Sequence, residues 1–140
     1  MTTMFKLVCD SCGLSVREAA KFLDAKLDTA KSWSSGRNPA PEFIIDALID
    51  LAVRIDVAAR EALLKIEEAR AARGLSEKIE IGIATDDAEA QSLGWPCAGT
   101  HHAIIRNVIE LAPDDIKHRL VIVPRGSTPA TAAAADAHSH

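Results

Sequence analysis

The chain has no apolar run approaching the roughly 18 residues of a membrane span, and its N-terminus lacks the apolar stretch of a signal peptide. The expectation is a soluble, cytoplasmic protein with no membrane partner. There are only three cysteines, Cys9, Cys12 and Cys97, an odd count that argues against a disulfide scaffold. No glycine-rich phosphate loop occurs, so nucleotide hydrolysis has no foothold. Between Glu42 and Arg73 there is neither Gly nor Pro, which leaves nothing in that stretch to force a turn.

What is present suits a folded chain. At 140 residues and 48% hydrophobic content, one ordinary domain or two small ones can form. The net charge of −4 hides an asymmetry. Residues 1–41 carry six bases against four acids, +2, which leaves −6 for residues 42–140. A basic N-terminal unit joined to an acidic remainder keeps nucleic acid open as a partner, because binding charge need only be local.

Hydrophobic periodicity divides the chain. Thr3 to Cys12 fits a short helix broken by Gly13. Ser15 with Glu18 is a capping box that opens a second helix with Val16, Ala19, Ala20 and Leu23 on one face. Asp24 tolerates the left-handed turn that follows. A third helix, about Leu27 to Ser35, points Leu27, Ala30 and Trp33 inward, and Gly36, Pro39 and Pro41 stop it.

Apolar residues then recur every three or four positions from Ile44 to Ala69. This predicts one long helix, or two nearly continuous ones, about 45 Å in length and ending at Gly74. Asp50–Arg54, Asp56–Arg60 and Glu61–Lys65 are i,i+4 pairs along it. Beyond it, Ile79, Ile81 and Ile83 alternate as in a strand. A short helix capped by Thr85 or Asp86, a Gly-Trp-Pro turn, an amphipathic helix from Thr100 to Ala112 and a strand Leu120–Val123 follow. Two strands do not make an independent sheet, so either the long helix covers them or a second chain completes them.

The expected fold is α+β and mainly helical: a helix-turn-helix domain over residues 1–56, a connecting helix over 57–74, a small α/β dimerisation unit over 75–125 and a disordered, low-complexity tail over 126–140. In the helix-turn-helix, Ala19, Ala20, Leu23, Ala30 and Trp33 form the core. The short third helix, polar on its outer face, suits a DNA major groove, and Arg37 falls near the phosphate backbone.

The run Ser15, Glu18, Ala19, Ala20, Trp33, Gly36 resembles the Cro/CI-type (XRE) helix-turn-helix regulators over about residues 4–56. The family's proline position falls between Pro39 and Pro41, Asp24 stands where glycine is usual, and Lys26 replaces a Ser/Thr cap. The layout of the whole chain, with its "LGWP" segment, is similar to two-domain regulators of the YdiL and anti-CRISPR-associated (Aca) type. That likeness implies a homodimeric repressor that binds an inverted repeat in its own promoter.

Base-reading candidates are Lys26, Asp28, Thr29, Lys31 and Ser32. Asp28 is the unexpected member, suited either to capping the helix or to accepting a hydrogen bond from a cytosine amino group. Phosphate candidates are Arg17, Lys21, Ser35, Arg37 and Asn38. Trp95, Ile104, Val108, Leu120 and Ile122 are the expected dimer contacts. The function expected is a phage-type dimeric repressor that occludes a promoter on double-stranded DNA, with no cofactor and no enzymatic activity. Alternatives are an antitoxin, an interaction module that no longer binds DNA, a binder of RNA, and a ligand-sensing regulator, for which the sequence shows no convergent polar pocket.

Other pairings of reactive residues point less far. Cys9-x-x-Cys12 has no second pair at finger spacing, which argues against zinc. Cys97 with His101 and His102 has the makings of a nucleophile pair but no orienting acid. His138 and His140 lie in the Ala-rich tail.

Overall fold

A computed structural model describes residues 2–73 and 78–125. Helix α1 (Met4–Ser11) begins at Thr3, whose hydroxyl accepts the Lys6 N–H at 3.1 Å and donates to the Ser34 carbonyl at 3.0 Å. The cap of the first helix is thereby tied to the end of the third. Helix α2 (Val16–Phe22) starts in the expected capping box: Ser15 Oγ accepts the Glu18 N–H, and Glu18 Oε1 accepts the Ser15 N–H. Asp24 sits at φ 53°, the one non-glycine residue with positive φ among those described. It turns the chain into α3 (Leu27–Ser35), which Gly36 ends at φ 84°.

Ala19, Ala20 and Ala30 are buried where α2 and α3 meet, and Leu23 and Trp33 are half-buried. Small side chains let the two helices approach closely. Trp33 meets Phe5 of α1 edge-on, ring centroids 5.6 Å apart, an arrangement that aromatic quadrupoles favour.

Helix α4 (Glu42–Arg73) runs for 32 residues as a single helix. Ile44, Leu48, Leu51, Ile55 and Ala59 are buried on its inner face, and it packs against α1 and against α6 (Ala98–Leu111). Of the expected ion pairs along it, Asp56–Arg60 closes at 3.0 Å, whereas Arg54 turns to the ring of Trp95 instead.

Strands β1 (Ile79–Ile83) and β2 (Leu120–Pro124) pair in parallel, Ile79 opposite Leu120 and Ile81 opposite Ile122. Their connection contains α5 (Asp87–Ser92), capped by Asp86, then α6 and a single turn α7 (Asp114–Lys117). Sequence periodicity passed over α7, though "PDD" is an ordinary helix opening. Helix α6 lies against β1. It grips the end of that strand through Ala84, whose N–H donates to His101 Nδ1 at 3.0 Å while its carbonyl lies 2.8 Å from His102 Nε2. Helix α6 thus covers the sheet, an element the sequence had not suggested for that role.

The fold is thus mainly helical α+β. One hydrophobic cluster runs from Phe5, Cys9 and Leu14 through Leu48 and Leu51 to Ala103, Ile104 and Val108. Side chains from both expected domains fill it. The expected helix end at Gly74 and the tail over 126–140 lie outside the described residues.

Candidate nucleic-acid interface

Helices α2 and α3 present the expected cationic side chains outward. Arg17, Lys21, Lys26, Lys31 and Arg37 are all exposed. Ion pairs among the described residues join Lys6 to Asp10, Arg60 to Asp56 and Arg70 to Asp115, and none involves those five cations. Their charges face solvent, where phosphate oxygens can replace water.

On α3, Asp28, Thr29 and Lys31 are exposed, and Lys26 stands at the N-cap without a side-chain cap bond. Asp28 is in the first turn, where a carboxylate complements the helix dipole. It closes no side-chain capping hydrogen bond among the described residues, and its carboxylate faces solvent.

Ser32 requires a correction. It is 3% exposed, and its hydroxyl donates to the Thr29 carbonyl at 2.7 Å, so it cannot read a base. Helical spacing alone placed it beside Lys31, but α3 buries it together with Ala30. It instead anchors the exit of the helix: its carbonyl accepts the Ser35 hydroxyl at 3.3 Å and the Asn38 N–H at 3.2 Å. Ser35 Oγ in turn accepts the Arg37 N–H at 3.3 Å. Ser35, Arg37 and Asn38 are exposed on a turn whose backbone is held at three points.

Two expected dimer contacts are also displaced. Ile104 and Val108 are 5% and 0% exposed inside this chain's own core, because α6 packs them towards α4. Trp95 is half-buried with the Arg54 guanidinium 5.1 Å above its ring. Leu120 is half-buried, and Ile122 is exposed on β2.

The sequence did not single out a second apolar stripe on α4. Ile49, Val53, Val57 and Leu64 are exposed. At about 100° per residue they fall within about 80° of arc, on the side opposite Leu48 and Ile55. The signal was present in the four-residue spacing of Ile49, Val53 and Val57.

The thiols are packing groups. Burial pushes Cys9 up to about 12, with the neighbouring Cys12 adding to the effect, and burial alone pushes Cys12 up to about 11. Cys12 Sγ donates to the Leu48 carbonyl. The Cys97 thiol, also raised by burial, lies 3.5 Å from Thr100 Oγ1, while both imidazoles are taken up by Ala84. A carbonyl only accepts, so His102 Nε2 carries a proton. Among the described residues no cluster of three or more His, Cys, Asp or Glu is arranged to hold a metal, and no helix is long and apolar enough to cross a membrane.

No protein-family model matches the chain, and no curated protein is similar enough to it to count as a relative.

Proposed function

We propose that the protein is a sequence-specific DNA-binding regulator of transcription, acting in the cytoplasm as a dimeric repressor of phage type. The observation that carries this reading is the α2–turn–α3 unit. Its second helix presents Lys26, Asp28, Thr29 and Lys31 outward, and Arg17, Lys21 and Arg37, without ion pairs among the described residues, flank it. Phosphate contacts would seat the unit, and the four outward side chains would read base edges. Two copies on an inverted repeat would set their recognition helices about one DNA turn apart and cover a promoter. The open stripe Ile49, Val53, Val57, Leu64 on α4 is the surface through which the copies would pair.

Footprinting on the DNA upstream of the protein's own gene tests the reading. A protected palindrome is the expected result. Arg37→Ala should weaken binding to all sequences alike and lower the salt slope by about 1, while Thr29→Ala should change the preferred sequence. Absence of protection at low salt would overturn the reading in favour of a protein-interaction module.

A further inference from the structure

A cleft of about 500 Å³ opens between α2 of the helix-turn-helix, α4, and the corner where α5 leads into α6. That volume lies in the range of small-molecule sites. Phe22 and Trp95 supply flat apolar surface to its walls, and the charged residues around it are Glu18, Lys21, Arg54 and Asp87.

The four charges are not equivalent. Glu18 Oε1 accepts the Ser15 N–H and Asp87 Oδ1 accepts the Ala98 N–H, each at 2.9 Å. Both carboxylates therefore face the positive ends of helices, α2 and α6, where free N–H groups compensate them. Asp87 also fills a vacancy, since the α6 N-cap Cys97 makes no side-chain cap bond. Lys21 and Arg54 have no carboxylate partner among the described residues. Arg54 lies over the Trp95 ring, an arrangement that holds a guanidinium in place while its edge stays free to donate. The cleft thus offers two cations without a carboxylate ion pair among the described residues, beside the side chains of Phe22 and Trp95.

We propose that this cleft binds a small aromatic carboxylate. The carboxylate meets Arg54 and Lys21, and the ring lies against Trp95 and Phe22. Glu18, Lys21 and Phe22 belong to α2 and its capping box, whereas Asp87 and Trp95 belong to the C-terminal helices and their turn. A bound ligand therefore bridges the reading unit and the rest of the molecule. A consequence, resting on the DNA-binding reading above, is that occupancy changes the protein's hold on DNA.

Salicylate and indole-3-acetate titrated into the full-length, isotope-labelled protein test the site by NMR, with salicylamide as the neutral control. The expected result is a shift of the Lys21 and Trp95 signals, with a dissociation constant below about 1 mM for at least one acid. The amide should bind at least about tenfold more weakly, the worth of one charge-assisted contact. Arg54→Gln and, separately, the surface change Lys21→Gln should each weaken the acid by about tenfold while leaving distant signals unmoved. No shift with either acid, equal binding of the amide, or shifts confined to other surfaces would overturn the proposal. DNA titrations with and without saturating acid test the consequence. An altered affinity supports it, and an unaltered affinity overturns the coupling but not the site. If DNA fails to bind in both titrations while the acid binds, the DNA-binding reading is what fails.

Discussion

The His101 imidazole is 8% exposed, and its Nδ1 accepts the Ala84 N–H, a bond only the neutral ring can accept. Burial lowers its pKa from the ordinary 6.5 to about 4, and the positive charges of Arg125 and His102 add to the effect. Between those two values the unfolded chain holds more protons than the folded one. Stability is therefore complete above pH 6.5 and falls as the pH drops towards 4, by an amount on the order of 3 kcal/mol. Urea unfolding at pH 7 and pH 4.5 should show that loss, and His101→Gln should flatten the dependence. His101 also shows what sequence can miss. Its position after Cys97 suggested a reactive pair, whereas the fold turns its ring to the end of a strand seventeen residues earlier in the chain.

Elements in this chain follow local rules closely. The Ser15–Glu18 capping box, the Gly36 stop and the Asp86 cap each form as the residue types dictate, because a cap needs only its own next three residues. Asp24 is the strained exception at φ 53°. Asp24→Gly should raise stability by about 0.5–1 kcal/mol, since glycine adopts that region without a Cβ clash. A higher urea midpoint at unchanged slope is the expected reading. Helix α4 was legible in existence and in its inner face, since Ile44, Leu48, Leu51, Ile55 and Ala59 are buried as their spacing suggested, but its second stripe was not. An apolar stripe facing the core and one facing solvent have the same spacing, so periodicity alone cannot say which is covered. Only the packing of α1 and α6 separates Leu48 and Ile55 from Ile49 and Val53.

At the scale of the whole molecule, the N-terminal helices and the C-terminal helices interlock at one backbone crossing. Gly13, before α2, and Gly99, in the first turn of α6, lie so close that a methyl on either would run into the other's carbonyl. Beside them, Thr100 Oγ1 donates to the Cys12 carbonyl at 2.8 Å, and Cys97 Sγ points to the Gly13 carbonyl. Gly99→Ala should cost about 3 kcal/mol, because two backbones must part to admit it. Gly94→Ala is the control: at φ 90° with open space around it, it should cost about 1 kcal/mol of backbone strain. Thermal melts of the two variants read the difference.

Local chemistry by itself determined where helices start and stop, which residues can turn the chain and which short segments alternate as strands. Each of those depends on neighbours within a few residues. Tertiary structure alone decided that Ser32 is inside and Lys31 outside, that Ile104 and Val108 serve this chain's core, and that Arg54 meets Trp95 rather than Asp50. Those outcomes depend on contacts between segments tens of residues apart, and burial is a property of what lands on a face rather than of the face itself.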